Sequence, residues 1–187
     1  MTTTELENLN GDYTLDPAHT RLGFVARHAM ITKVRGQFDD FEGHAHIDFT
    51  DPAKCNVEVT IEAASIDTRN EQRDGHLRTN DFFDVPNQPK ITYRSTAVEK
   101  IGDSDYRLTG DLTIRGVTNP VTIDFEFTGA AKDPFGNQRV GFEGSTVINR
   151  KDWGVEWNAP LETGGVLVSE KVTLEIEVSA VQVMPEA

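Results

Sequence analysis

The feature that most constrains the fold of this chain is a regular alternation of apolar and polar side chains. The clearest example is PVTIDFEFTG, residues 120–129, where aliphatic and phenylalanine side chains share one face and polar side chains share the other. The segments NVEVTIEAAS (56–65) and KVTLEIEVSAV (171–181) repeat the pattern. A period of two residues is typical of β-strands that bury one face, so the sequence predicts a protein built from such strands.

Weaker forms of the alternation occupy most of the chain from Gly11 onward, and turns such as TDP, IGDSD and KDPFGN separate them. Antiparallel strands with one apolar face bury it by closing into a barrel or by stacking as a sandwich. The longer runs span about 9 to 12 residues, against a common strand length of about 5 to 6. The pattern therefore favours an all-β barrel with one or two short helical segments, and a sandwich remains the alternative.

The chain of 187 residues suits one domain. Residues 1–10 are polar and aperiodic, which predicts a flexible N-terminal tail followed by a single domain over residues 11–187. The first residues lack the basic and apolar regions of a secretory signal, and no apolar run approaches the roughly 18 residues of a membrane span. These features lead us to expect a cytoplasmic protein without stable membrane insertion.

The formal net charge of −13 predicts repulsion from phosphate groups, so nucleic acid is not an expected partner, and anionic membrane surfaces are disfavoured for the same reason. This argument concerns the average field, and a local arginine cluster could still bind one anionic headgroup. The single cysteine, Cys55, has no base beside it in the sequence and is expected to be inert. His44 and His46 have a spacing that can bind a metal, but they share a strand face with Asp48 that is expected to meet solvent. We predict neither a metal site nor a cofactor.

Two segments resist a strand interpretation. The first, RDGHLRTNDFFDV at 73–85, combines acids, bases and one histidine, and it is expected to begin as a helix capped by Thr68 or Asn70. Asp74 and Arg78 have the i,i+4 spacing of an ion pair on one helix face. The segment is therefore predicted to dock on the barrel, with Phe82 and Phe83 as the apolar contacts.

The second irregular segment, residues 149–165, contains Trp153 and Trp157 at the i,i+4 spacing that would place both on one face of a helix. This segment could close a barrel end, pack into a ligand channel or form a subunit contact.

Four stretches together resemble the YceI-like family, in the family's order: RLGFVARHAMITKVRGQF (21–38), RDGHLRTNDFFDVPNQPKITYRS (73–95), GDLTIRGVTNPVTIDFEF (110–127) and INRKDWGVEWNAPLE (148–162). The resemblance implies an extended eight-stranded antiparallel lipocalin-like barrel. Its hydrophobic interior is expected to take up a long-chain lipid of polyisoprenoid type, such as an isoprenoid quinone or a polyprenyl compound. It also implies a homodimer, since members are often dimers. Many members act in the periplasm after export, whereas no export signal is evident here.

Strand parity indicates which side chains face the interior and are available to such a lipid. They are Phe24, Ala26, Ile61, Ile91, Tyr93, Leu112, Ile114, Ile123, Phe125, Phe142 and Ile148. His28 continues the inward series of its strand and is expected to point inward or to lie at the barrel rim. Phe82, Phe83 and Trp153 add contacts from the irregular segments.

The predicted function is lipid binding, for storage, transport or sequestration. Two alternative functions are also compatible with the sequence. One is an enzyme that acts on a small hydrophobic substrate at the barrel mouth, with His28 or His76 as the acid or base. The other is an interaction protein whose barrel is filled by its own side chains. No phosphate loop and no nucleophile–base pair is evident in the sequence, so we predict a binding protein without catalysis.

Overall fold

The computed structural model describes residues 1–184, so the last three residues of the domain predicted over 11–187 lie outside the described part. Within residues 1–184 the chain forms two short α-helices, α1 (Thr3–Glu7) and α2 (Glu71–Leu77). The strands are β1 (Gly11–Leu15), β2 (Arg21–His28), β3 (Thr32–Phe38), β4 (Phe41–Ile47), β5 (Asn56–Glu62), β6 (Ile66–Asp67), β7 (Lys90–Lys100), β8 (Asp105–Ile114), β9 (Val117–Lys132), β10 (Gln138–Asn149) and β11 (Lys171–Gln182). Three short 3₁₀ turns cover Pro52–Lys54, Ala63–Ser65 and Arg150–Trp153.

The strands form a closed antiparallel barrel. Neighbours follow the order β1-β4-β5-β7-β8-β9-β10-β11, and β1 pairs again with β11 to close the ring. Closure removes the exposed edges that a sandwich would leave. The predicted eight-stranded antiparallel barrel is therefore confirmed.

One end of the barrel is built differently from the other. Strand β11 pairs with β1 near Ala180 and with β2 from Glu177 to Thr173, so β1 and β2 lie along the same edge one after the other. Strand β3 pairs with β2 on one side and with the two-residue β6 on the other. The sheet ends at β6, and the connection that contains α2 carries the chain from there to β7. This end, which we call the helix end, is where an opening in the wall can form.

Two apolar clusters lie inside the barrel, one above the other. The helix-end cluster contains buried Ala63, Phe82, Ile91, Leu112, Val121, Ile123, Trp153 and Val155. The second cluster contains buried Leu9, Tyr13, Phe49, Tyr106, Val140 and Ala180. The alternation in the sequence explains these positions, because inward-facing residues of β8 and β9 recur every second residue.

The N-terminal segment differs from the flexible tail predicted for residues 1–10. Thr2 caps α1 in a capping box with Glu5, and Leu9 is only 5% exposed where it packs in the second cluster. The Tyr13 hydroxyl donates a hydrogen bond to the Leu9 carbonyl at 2.6 Å, and burial raises the pKa of Tyr13 to about 12. The polar composition concealed this segment because Leu6 and Leu9 are enough to hold it on the barrel.

A charged network fixes the turn between β9 and β10. The Asp133 carboxylate accepts hydrogen bonds from the backbone N–H groups of Asn137 and Phe135, at 3.0 and 2.9 Å. Arg139 donates to Asp133 at 2.9 Å and to Asp16 at 2.7 Å, which ties the turn to the chain beyond β1. The backbone N–H of Asn137, together with Arg139, lowers the pKa of Asp133 to about 2.

We expect Asp133→Asn to remove an acid-sensitive part of the protein's stability. The folded pKa of about 2 lies below the ordinary value of 3.8, so the ionised carboxylate stabilises the fold above pH 3.8. This contribution is lost as the pH falls from 3.8 towards 2. The free energies of unfolding of wild type and variant, measured with urea across this range, should therefore differ at neutral pH and converge in acid. Asp103→Asn, at an exposed carboxylate in another turn, is the control; a gap for Asp133→Asn that stays constant down to about pH 2 would contradict the assignment.

Candidate functional site

A cavity of about 640 Å³ opens at the helix end of the barrel. Its walls come from β2 and β3, from the α2 connection, and from the segment between Trp157 and Val168. Small-molecule sites commonly measure about 300–1,000 Å³. Four of the residues predicted to contact a ligand line it: Phe24, Ala26, His28 and Phe82.

The β2–β3 wall is apolar because alternate residues of both strands face the cavity. Ala26 lies opposite Val34 in the strand register, and Phe24 lies opposite Gly36. A Cβ atom at Gly36 would approach the Phe24 ring to 2.3 Å, so only glycine lets that ring lie flat across β3. The Phe24 ring then contacts Phe38, with ring centroids 5.8 Å apart.

Hydrogen bonds to Thr68 fix the position of α2, which forms one wall of the cavity. Asn70 is the helix cap, and its side chain accepts a hydrogen bond from the Arg73 backbone N–H at 3.0 Å. The buried Asp74 carboxylate accepts from the Thr68 backbone N–H at 3.0 Å and from its hydroxyl at 2.5 Å. The Arg73 guanidinium donates to the same hydroxyl at 2.7 Å and to the Thr68 carbonyl at 2.6 Å. Thr68 is thus the contact that joins the helix to β6.

The predicted ion pair between Asp74 and Arg78 is wrong. The α-helix ends at Leu77, and the Arg78 guanidinium donates instead to Glu71 at 3.1 Å and to the Ala64 carbonyl at 3.0 Å. Asp74 points inward because the backbone N–H and the hydroxyl of Thr68 both donate hydrogen bonds to its buried carboxylate. The exposed Arg78 cannot supply hydrogen bonds at that buried position.

The docking predicted for Phe82 and Phe83 has a specific anchor that the sequence did not reveal. Phe82 is buried in the helix-end cluster, and Phe83 packs edge-on against Phe38 at 5.9 Å. Arg115, in the β8–β9 turn, donates to the carbonyls of Asn80 and Phe82 at 2.5 and 2.9 Å. No local pattern marks Arg115 as a partner, because its contacts lie 33 and 35 positions away.

The polar side of the cavity contains both histidines that the sequence singled out. His76 Nε2 lies 2.8 Å from Asp81 Oδ2, and its ring stands edge-on to Trp157 and Phe82, with centroids 4.7 and 5.1 Å away. His28 lines the cavity from the end of β2. A carboxylate holding an imidazole in a fixed orientation can position a hydrogen bond to a polar headgroup. The pair can also act as a general base, so geometry alone leaves both roles available.

The remaining wall is a strap, residues 150–170, that starts with the 3₁₀ turn Arg150–Trp153. The buried Arg150 guanidinium donates to the carbonyls of Val155, Ser169 and Val168 at 2.7, 2.9 and 3.3 Å. Burial lowers the pKa of Arg150. These bonds join both ends of the strap. The positions of the strap's cavity-lining side chains therefore depend on Arg150, which lies outside the cavity.

The two tryptophans do not share a face. The 3₁₀ turn ends at Trp153, and Gly154 follows in a left-handed conformation (φ 76°) that redirects the chain. Trp153 is 3% exposed in the helix-end cluster, where its indole N–H donates to the Leu112 carbonyl at 2.8 Å. Trp157 is the tryptophan that lines the cavity. The helical spacing that suggested a shared face does not apply to a 3₁₀ turn that stops between them.

Most other residues predicted to contact a ligand lie deeper, in the packed interior. The helix-end cluster or the residues packed against it include Ile61, Phe83, Ile91, Tyr93, Leu112, Ile114, Ile123, Phe125, Ile148 and Trp153. Phe142 packs on the second cluster, and with Phe125 it lines a smaller void of about 120 Å³. Parity identifies inward positions, but it does not tell cavity wall from filled core. The sequence therefore missed cavity-lining residues on the connections: Asn70, Gln72, Leu167 and Val168.

His44, His46 and Cys55 do not line the helix-end cavity. His46 pairs with Asp12 at 2.8 Å, and among residues 1–184 no cluster of histidine, cysteine or acidic side chains could hold a metal ion. Cys55 is half-buried, and burial raises the pKa of its thiol, which disfavours the reactive thiolate. None of the helices formed within the described range is long and apolar enough to cross a membrane.

Solved structures share this architecture. BcnA of Burkholderia cenocepacia superposes with a TM-score of 0.78 at 24% identity, covering 88% of this chain and 98% of that one. The YCEI protein of Campylobacter jejuni has a TM-score of 0.70 at 34% identity, covering 84% and 90%. A polyisoprenoid-binding domain from Saccharophagus degradans has a TM-score of 0.69 at 17% identity, covering 91% and 98%; this likeness concerns the fold.

Sequence comparison agrees with the structural match. A UPF0312 protein of Staphylococcus aureus is 40% identical over 165 residues, which cover 88% of this chain and 94% of the relative. The family model for the YceI-like domain matches residues 13–180, which include every strand of the closed barrel in whole or in part. The chain therefore belongs to the YceI-like family.

Proposed function

We propose that this protein binds a long-chain isoprenoid-type lipid, a quinone or a polyprenyl compound, in the helix-end cavity, for storage, transport or sequestration. The observation that carries the proposal is the cavity of about 640 Å³, which has apolar walls from Phe24, Ala26 and Val34 and polar groups on one side. An elongated apolar molecule with one polar end matches this division.

The apolar wall supplies enough free energy for binding without a dedicated polar motif. Each buried methylene contributes about 0.8 kcal/mol, so about six methylene equivalents give roughly 5 kcal/mol before the entropic costs of association. His76, His28 and Arg73 border the cavity and could hydrogen-bond a headgroup.

The two competing functions make different predictions for the bound molecule. The His76–Asp81 pair at the cavity is the observation that favours an enzyme. Organic extraction and mass spectrometry of purified protein distinguish the cases: a binding protein returns an intact isoprenoid lipid that stays unchanged on incubation, whereas an enzyme converts it. A barrel filled by its own side chains returns no lipid.

We expect Ala26→Trp to block the cavity and to lower affinity for an isoprenoid by about tenfold or more, because an indole there would occupy space the ligand needs. Farnesol is a suitable probe, and its binding can be measured by calorimetry. Val147→Trp is the matched control, since Val147 is 57% exposed on β10. Near-UV circular dichroism verifies that both variants fold. An Ala26→Trp protein that is folded and binds farnesol as wild type does would place the ligand elsewhere.

A further inference from the structure

The hairpin that joins β2 to β3 ends in exposed apolar side chains. Met30 is 55% exposed and Ile31 is 77% exposed. Ala29 and Met30 both have positive φ angles, 52° and 62°, a backbone conformation that non-glycine residues rarely adopt. Tight hairpin turns require such angles, and the Ile31 N–H donates to the His28 carbonyl at 3.0 Å to close this one. The turn thus presents two apolar side chains to water.

The same hairpin carries the opposite charge to the rest of the molecule. The chain has 31 acidic and 18 basic residues, yet residues 17–38 contain no aspartate or glutamate. Arg27 lies directly opposite Lys33 in the strand register, with Arg35 two residues further along. Because Val34 faces the cavity, strand alternation places Lys33 and Arg35 on the outer face. The exposed Arg27 lies at the rim and also borders the cavity opening.

Like charges directly opposite each other destabilise a strand pair, so this arrangement is costly unless a ligand uses it. Within residues 1–184, no carboxylate forms a salt bridge with Arg27, Lys33 or Arg35. Arg27 donates to the Ile31 carbonyl at 3.2 Å, which places its guanidinium beside the apolar tip. In physiological salt, electrostatic interactions between exposed charges are screened over about 8 Å. The potential near the hairpin is therefore set by its own cations more than by distant acidic residues.

The hairpin also stands at the entrance to the cavity. His28, the last residue of β2, lines the cavity, and the Ala29 N–H donates to the carbonyl of Leu167, another lining residue, at 2.7 Å. Gly165, in the turn of the strap, lies beside Met30. A surface that binds the tip would therefore meet the opening through which a ligand enters.

We propose that the β2–β3 hairpin docks the protein reversibly on an anionic membrane surface, from which the lipid enters the cavity. This inference rests on the proposed lipid-binding function. Arg27, Lys33 and Arg35 would face lipid phosphates, while Met30 and Ile31 insert at the boundary between headgroups and acyl chains. Docking of this kind needs no membrane-spanning segment.

The test is co-sedimentation with phosphatidylcholine vesicles that contain or lack phosphatidylglycerol. Wild type should bind the vesicles that contain phosphatidylglycerol, and this binding should weaken in high salt. It should not bind vesicles of phosphatidylcholine alone. Ile31→Asp and Lys33→Glu should each lower the affinity about fivefold or more. The matched controls are Phe135→Asp, at an apolar residue 88% exposed at the opposite end of the barrel, and Lys132→Glu beside it; both should bind as wild type does.

Farnesol binding from solution separates this inference from the function it rests on. Both hairpin variants should bind farnesol normally, because neither residue lines the cavity. Absent vesicle binding by wild type, or equal losses in Phe135→Asp and Ile31→Asp, would overturn membrane docking and leave lipid binding intact. If Ile31→Asp instead dissociates a dimer without changing vesicle binding, the tip is a contact between two copies and the inference is wrong.

Discussion

Arg150→Met should lower the free energy of unfolding by about 3 kcal/mol or more, one of the largest effects of any single substitution in this protein. The Arg150 side chain is 7% exposed and donates to three carbonyls of the strap. Methionine fills similar space but leaves buried carbonyl groups without their donor, and each such group costs about 1–3 kcal/mol. Urea denaturation followed by far-UV circular dichroism measures the difference.

Two further variants at this site test the mechanism. Arg150→Lys keeps the charge but loses the planar set of donors that reaches several carbonyls at once, so its stability should be intermediate. Lys151→Met removes an exposed neighbour that pairs with Glu170 at 2.9 Å and should cost less than about 1 kcal/mol. If Arg150→Met and Lys151→Met are equally stable, the strap does not depend on the buried guanidinium.

The same substitution should also weaken ligand binding, although Arg150 does not line the cavity. Arg150 holds the backbone at Val155 and Val168, the two ends of the stretch that carries Trp157 and Leu167 to the cavity. It is a positioning residue, so farnesol affinity and stability should fall together.

The sequence predicted the barrel because its evidence is local. Alternation in β9 assigns Val121 and Ile123 to one face without knowledge of any other strand, and both are buried. Closure follows from several such faces needing to be buried together. The same local reasoning failed at the N-terminus, where two leucines in an otherwise polar stretch pack on the barrel.

The candidate site was less predictable because its position along the barrel axis has no periodic signal. Ala26 and Leu112 both face inward, yet Ala26 borders the cavity and Leu112 is packed core. The difference arises where the wall splits beyond β6 and where α2 and the strap fill the gap incompletely. Arg115 and Arg150 determine how those connections lie, through contacts with carbonyl groups that no side-chain pattern records.

Substitutions of the two tryptophans should distinguish most clearly between the packed core and the ligand cavity. Trp153→Ala should lower the free energy of unfolding by about 3–5 kcal/mol, because the indole is buried and its removal leaves a cavity in the helix-end cluster. Trp153→Phe should cost less, and part of its cost is the lost hydrogen bond to Leu112, worth about 1 kcal/mol. Urea denaturation followed by far-UV circular dichroism avoids dependence on the fluorescence of the residues being changed.

Trp157→Ala should affect ligand binding more than stability. Trp157 is only half-buried and contacts His76 and Phe82 at the cavity, with ring centroids 4.7 and 5.4 Å away. Its loss should cost about 1 kcal/mol of stability but reduce farnesol affinity severalfold, because the ligand loses an aromatic wall. Unchanged farnesol affinity in Trp157→Ala, or a Trp153→Ala protein as stable as Trp157→Ala, would show that the division between core and cavity is misplaced. The RDGHLRTNDFFDV segment spans this division: His76 and Phe82 line the cavity, whereas Phe83 packs against Phe38 in the interior.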